Sequence, residues 1–206
     1  MINATEAQFV SAGIHLYPRC GYQKLSEEAV AAHLNADVER FRQLFADKDK
    51  FVKAMLREYR DRVLGRVSFD FSPGLSSRER LRQLLWRLAV VIRSNLPWVN
   101  RLLLDSADGV VIIRRALKMQ NEIMALGVMA AIRACHADGD RDVSDLELLN
   151  QYDFLQGAVL TPMVLNVRFQ KFDILSDDIC CRVPDLLTDA FIQQRIDWVL
   201  NALFPE

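Results

Sequence analysis

Apolar residues recur along most of this chain at the three-to-four-residue spacing of helices that bury one face. Phe9, Val10, Ile14, Leu16 and Tyr17 define an amphipathic helix over residues 7–19, with Pro18 in its last turn and Gly21 as its stop. Ser26 caps a short helix whose inward residues are Val30, Ala31 and Leu34. Glu27 and Glu28 suit the positive end of that helix's dipole. Asn35-Ala36 forms a tight turn, because Asn accepts a left-handed backbone more readily than other non-glycine residues. Asp37 caps a third helix reaching Phe45, and Asp47 a fourth carrying Phe51, Val52, Met55, Leu56 and Tyr59.

Farther on, Pro73-Gly74 marks residues 65–75 as a loop. Ser76 with Glu79 has capping-box spacing and opens a helix to about Asn95. Pro97 and Asp108-Gly109 then interrupt the pattern. Residues 110–137 read as one long helix, apolar nearly all round over 123–132 and expected to be buried there. Ser144 with Glu147 opens another helix to about Phe172, which has to accommodate Pro162. A connection over 176–184 precedes a last helix over 186–204. Neither strand alternation nor an internal repeat is visible. The expected fold class is all-α with about nine helices, divided into a three-helix domain in residues 1–50 and a larger helical domain in residues 51–206.

Composition narrows the function classes. The chain has 206 residues, of which 51% are hydrophobic and 26% charged, so it has enough apolar side chains for a folded core. Only 6 prolines and 8 glycines interrupt it, which favours helices. Its 4 cysteines include no CxxC pair and do not suggest a disulfide framework, so a reducing cytoplasm is the expected compartment. The first residues lack the features of a signal peptide, and no apolar run is long enough to suggest a membrane span. Net charge is −1, but it is unevenly spread: +2 over residues 1–66, +5 over 67–120 and −8 over 121–206. A surface for a polyanion is therefore expected in the first two-thirds of the chain.

Residues 21–51 carry the most information. Two short helices joined by a turn of about four residues, with one helix before and one after, have helix-turn-helix spacing; the second short helix would enter the major groove. At ~100° per residue, Phe41 and Phe45 lie within ~40° of each other and face inward, which turns Glu39 and Gln43 outward with Arg40 and Arg42 beside them. Arg, Gln and Glu are side chains that read guanine, adenine and cytosine edges. Arg40 is expected nearest the bases. Lys48, at the start of the next helix, is suited to a phosphate.

On these residues the chain resembles the N-terminal DNA-binding domain of TetR-family transcriptional regulators. The likeness rests on Phe9-Val10, Ala12, Ile14, Leu16-Tyr17 and Gly21-Tyr22 in the lead helix, and on Ser26, Val30 and Ala31 in the next. It continues through Phe41, Phe45 and Lys48, so residues 7–51 match closely and the remainder only as a helical pattern. The resemblance implies a sequence-specific DNA-binding regulator, a repressor released by a small-molecule effector, acting as a homodimer on a double-stranded operator. The expected DNA-facing set is Ser26, Val38, Glu39, Arg40, Arg42, Gln43 and Lys48. Several positions depart from the family pattern: Leu25 stands where a phosphate-binding Thr is frequent, and Leu44 where a polar residue is usual. With the head's small positive balance and its outward Glu39, they support an alternative of a different class: a TetR-like ligand-binding or interaction protein with weak or lost DNA binding.

Other candidates are weaker. Asp138, Asp140 and Asp142 have the spacing of a calcium loop, but Val143 and Leu149 occupy positions that need Gly and Glu, so an acidic connection is expected. Cys135-His136 lacks further ligands at metal spacing, His15 and His33 lie on separate helices, and no metal or other cofactor is expected. Trp86, Met119, Gln120, Glu122 and Met124 are the candidate lining of an apolar pocket with a few polar groups. Leu155, Val159, Phe191, Val199 and Leu203, on the last two long helices, are the candidate dimer interface. No nucleophile–base motif, phosphate loop or dinucleotide fingerprint is present, so an enzyme is not expected.

Overall fold

The computed structural model describes residues 3–63, 67 and 70–205, and among these every regular element is a helix. They are α1 (Glu6–Lys24), α2 (Glu27–His33), α3 (Val38–Leu44), α4 (Lys48–Val63), α5 (Ser77–Ser94), α6 (Leu96–Ala107), α7 (Val111–Ala137), α8 (Asp145–Leu155), α9 (Thr161–Lys171), α10 (Asp177–Cys180) and α11 (Asp189–Leu203). The expected loop over 65–75 falls partly outside the described residues; within it, Pro73 and Gly74 form a turn.

Local chemistry sets these boundaries. Ser26, Asp37, Ser76 and Ser144 each accept a backbone N–H in the first turn of the helix they precede. Asp47 likewise accepts from the Lys50 N–H at 2.7 Å. Asn35 takes φ 53° in the α2–α3 turn, as its side chain allows. The helix expected to run to about Phe172 is continuous along the chain but changes winding. Pro162 offers no N–H and would crowd the carbonyl four residues earlier, and the turn before it, Gln156–Leu160, widens to a π-helix.

Two compact units emerge. One comprises Met1–Arg66 with Pro97–Met119, and the other Val67–Leu96 with Gln120–Glu206. The first unit thus extends beyond the expected boundary at residue 50, because α4 supplies Phe51, Val52 and Met55 to the same core as α1 and α3. Four phenylalanines form its centre. Phe9 meets Phe41 edge-on at 5.4 Å, and Phe41, Phe45 and Phe51 lie 4.9–5.0 Å apart. Gly13 admits this cluster: a Cβ there would stand 2.5 Å from the Phe51 ring. Trp98 of α6 donates its indole N–H to the Ile14 carbonyl at 3.1 Å and stacks on Tyr59 at 3.8 Å.

In the second unit, α11 packs against α5, α8 and the π turn. Leu81, Leu84, Leu85 and Leu88 of α5 and Ile192, Ile196, Val199 and Leu200 of α11 are all buried. Arg82 pairs with Asp197, and Arg93 with Asp189 at 2.5 Å, so polar clamps flank the apolar seam. Two expectations are corrected here. The long helix is not buried over 123–132, since Ile123 and Leu126 of α7 are 51% and 71% exposed while Val128 and Ile132 are buried. Leu155, Val159 and Val199, placed in an interface by their spacing, are not surface residues; they are buried in the unit's own core.

Gly21 is the sharpest local constraint. It interrupts α1 with φ 67° and ψ 177°, a conformation essentially restricted to glycine, and a Cβ there would collide with the Arg101 guanidinium. Gly21→Ala is expected to cost roughly 1–3 kcal/mol from backbone strain alone, and more once Arg101 is displaced. Urea denaturation of the variant against the natural protein measures this.

Candidate nucleic-acid interface

The helix-turn-helix is built by the phenylalanine cluster. With Phe41 and Phe45 turned inward, α3 exposes Glu39, Arg42 and Gln43, while Val38 and Arg40 are half-buried at its edge. Ser26 and Lys48 are also half-buried. Ser26, Val38, Glu39, Arg40 and Lys48 lie on or beside the first turns of α2, α3 and α4, while Arg42 and Gln43 lie in the last turn of α3.

Their electrostatics differ from what spacing alone suggests. Arg42 is surrounded by carboxylates: Glu39 at 2.6 Å, Glu27 at 2.8 Å and Glu28 at 3.6 Å. The hydrogen bonds to Glu27 and Glu39 raise its affinity for its proton. Arg40 donates from Nε to the Ala4 carbonyl at 3.2 Å and from Nη1 to Gln43 at 3.3 Å. It thus braces the chain before α1 and lies less free than a base-reading arginine should. Lys48 donates to the Gln23 carbonyl at 3.3 Å and lies 4.4 Å from the centre of the Tyr22 ring. The Tyr22 hydroxyl donates to Asp49 at 2.5 Å, and that bond, with some burial, pushes its pKa up to about 12.

Behind this surface lies a buried carboxylate that the sequence did not single out. Asp105 of α6 has no exposed surface. It accepts the Tyr17 hydroxyl at 2.7 Å and the Tyr22 backbone N–H at 2.8 Å, and it pairs with Arg101. The Gly21 break is what frees the Tyr22 N–H from the helix ladder to reach it. Burial alone would raise the Asp105 pKa, but the bonds from Arg101, Tyr17 and Tyr22 outweigh it and leave it lowered. Arg101 is only four residues away on α6, but the two partners from α1 that define the role are 83 and 88 residues away.

The other candidate sets are less unified. Trp86, Gln120 and Met124 are half-buried in the second unit, where Glu122 is exposed; Met119 belongs to the first unit and is 45% exposed. The Gln120 side-chain oxygen is buried without a hydrogen-bond partner among the described residues. Of the interface candidates, Phe191 is 42% exposed and Leu203 half-buried. The exposed apolar residues nearby are Trp198 on α11, Leu146, Leu149 and Phe154 on α8, and Leu165 on α9. Among the described residues no helix is long and apolar enough to cross a membrane, and no group of three metal-ligating side chains gathers. His136 is buried and bonded to Gln151 at 2.8 Å.

Asp105→Ala should cost about 3 kcal/mol, because it leaves a largely buried guanidinium and a buried hydroxyl uncompensated. The sign with pH follows from the lowered pKa. The stability contributed by the carboxylate is complete above the unfolded-state value of about 4 and is lost as pH falls through the folded-state value. Denaturation midpoints of the natural protein should therefore drop more steeply below about pH 4 than those of Asp105→Asn.

No family model and no curated protein matches this chain. Solved structures do. A protein described as a TetR/AcrR-family transcriptional regulator superposes with TM-score 0.68 at 14% identity, covering 96% of this chain and 97% of its own. FadR of Bacillus subtilis, solved with stearoyl-CoA, gives TM-score 0.62 at 12% identity over 90% of this chain and 98% of its own. A TetR-like regulator from Rhodococcus sp. RHA1 gives 0.61 at 13% identity over 97% and 93%. From its lead helix to its last helix, this chain has the fold of the TetR/AcrR-family transcriptional regulators.

Proposed function

We propose that this protein is a DNA-binding transcriptional regulator whose second unit takes a small-molecule effector and which works as a homodimer. The observation that carries the reading is the α2–turn–α3 arrangement, capped by Asp37 and exposing Glu39, Arg42 and Gln43 on the face opposite the phenylalanine cluster. In this reading the DNA-facing residues are Ser26, Val38, Glu39, Arg40, Arg42, Gln43 and Lys48. Arg42 and Lys48 approach phosphates, Glu39 and Gln43 approach base edges, and Arg40 chiefly fixes the α1 end. Binding represses, and the effector releases it. Gln120, Trp86 and Met124 are the starting points for mapping that effector.

The carboxylates around Arg42 favour the second reading, a regulator-like protein with weakened DNA binding. Magnitudes decide between them. Exposed ion pairs contribute about 0–1 kcal/mol each, and a phosphate contact gains further from counterion release, so the pairs of Arg42 weaken DNA binding without forbidding it. Selection of genomic fragments by the purified protein tests the proposal. Recovery of a common two-half-site sequence supports it, and recovery of unenriched DNA favours the second reading. The dependence of affinity on salt should be shallow, because the head carries little net positive charge. Lys48→Ala should weaken all sequences alike and reduce the log–log salt slope by about 1. Glu39→Gln should strengthen binding to unrelated DNA by removing a repulsive charge and loosening Arg42.

Dimerisation rests on the apolar side chains left at the surface of α8, α9 and α11. A single head reads only a few base pairs, so specificity calls for two. The dimer contacts move from the buried Leu155, Val159 and Val199 to Phe191, Trp198, Leu146 and Leu149, with Leu203 at the margin. A stable obligate interface buries more than ~2,000 Å² of total surface and is strongly apolar, the character of these helix faces. Light scattering at micromolar concentration should give twice the 23.6 kDa chain mass, and Trp198→Asp should return it to the monomer.

A further inference from the structure

The chain has 3 histidines, and two of them meet. His15 lies in the middle of α1 and His33 is the last residue of α2. Both are exposed. Their rings lie 5.4 Å apart, centre to centre, with only 28° between their planes. No catalytic, DNA-reading or core role in the preceding account uses either imidazole, and the sequence placed them on separate helices with no sign that they converge.

Two imidazoles that share one divalent ion at ~2.0–2.1 Å bring their ring centres to roughly 4.5–5.2 Å at octahedral or tetrahedral angles. The observed separation is within a few tenths of an ångström of that range; the rings are stacked, so each imidazole turns about its side-chain bonds to bring one nitrogen to a common ion. Because both residues are exposed, water can complete the coordination and the ion needs no entry path. Neutral imidazole selects borderline divalent transition ions, such as Cu²⁺, Ni²⁺ and Zn²⁺, over Ca²⁺ and Mg²⁺, which require oxygen cages. The geometry points to a two-histidine transition-metal site, His15 with His33, that clips α1 to α2. The ion would link the lead helix to the first helix of the helix-turn-helix, holding the angle between them with a bond rather than with packing alone. The site stands whether or not the head binds DNA.

The chain offers a clean test, since the third histidine, His136, is buried and bonded to Gln151. Tag-free protein carrying Cys180→Ser and Cys181→Ser removes the two neighbouring thiols as rival ligands. Titration calorimetry with CuCl₂, ZnCl₂ and MnCl₂ should give one Cu²⁺ or Zn²⁺ per chain, with Cu²⁺ tighter and Mn²⁺ showing no saturable binding. His15→Ala and His33→Ala should each weaken Cu²⁺ by roughly tenfold or more, while circular dichroism shows the fold retained. Electron paramagnetic resonance of the Cu²⁺ complex should report two imidazole nitrogens in the parent and one in each variant. The proposal is overturned by a parent that binds no ion saturably, by variants that bind like the parent, or by a spectrum with a single nitrogen throughout. Should an alanine variant lose its fold, His15→Gln decides instead: loss of the ion with the fold kept supports the site, and binding like the parent overturns it.

Discussion

The buried Asp105 carboxylate is the constraint around which the first unit is arranged. A charged group with no solvent exposure is tolerated only if its oxygens are fully engaged, and the cost of leaving one unpaired is several kcal/mol. Three donors satisfy it: the Tyr17 hydroxyl, the Tyr22 backbone N–H and Arg101. One is available only because α1 breaks at Gly21, and Gly21 must be glycine because of its positive φ, with Arg101 packed against it. The carboxylate, the kink and the guanidinium are therefore one device. It sets the position of Tyr22, whose ring carries Lys48 and whose hydroxyl holds Asp49, so a charge inside α6 governs the first turn of α4.

The polar surface of α2 and α3 is organised by the opposite principle. There, charges stay in water and pair weakly with one another. Arg42 is half exposed and contacts three glutamates. In high dielectric such pairs are exchangeable, and their main effect is to lower the local positive potential rather than to hold the structure. The rigid part of the site is thus the phenylalanine cluster and the Asp105 device beneath it, and the adjustable part is the polar layer above.

The helical elements were largely legible in advance because their determinants are local. Ser26, Asp37, Asp47, Ser76 and Ser144 cap by reaching backbone groups two or three residues away, and Asn35 turns by its own backbone preference. Phe41 and Phe45 faced inward as a helical period requires. The thinner parts of the reading failed where the answer depends on what lies opposite. An apolar stretch such as residues 123–132 is equally compatible with burial or exposure until its neighbours are known, and Ile123 and Leu126 proved exposed. Leu155, Val159 and Val199 have the spacing of an interface, but spacing cannot distinguish a core within one chain from one formed between two.

By itself the sequence determined the all-helical architecture, the caps and breaks, the inward phenylalanines and the outward polar face of α3. Each follows from interactions spanning a few residues, where chain connectivity already supplies the proximity. Only the tertiary structure decided that Glu27 and Glu28 reach Arg42, that Asp105 closes on Tyr17 and Tyr22, and that His15 meets His33. Those encounters join residues between 14 and 88 positions apart on separate helices. Their distances are set by how helices pack, which depends on all the side chains in the core at once, so no local pattern along the chain encodes them.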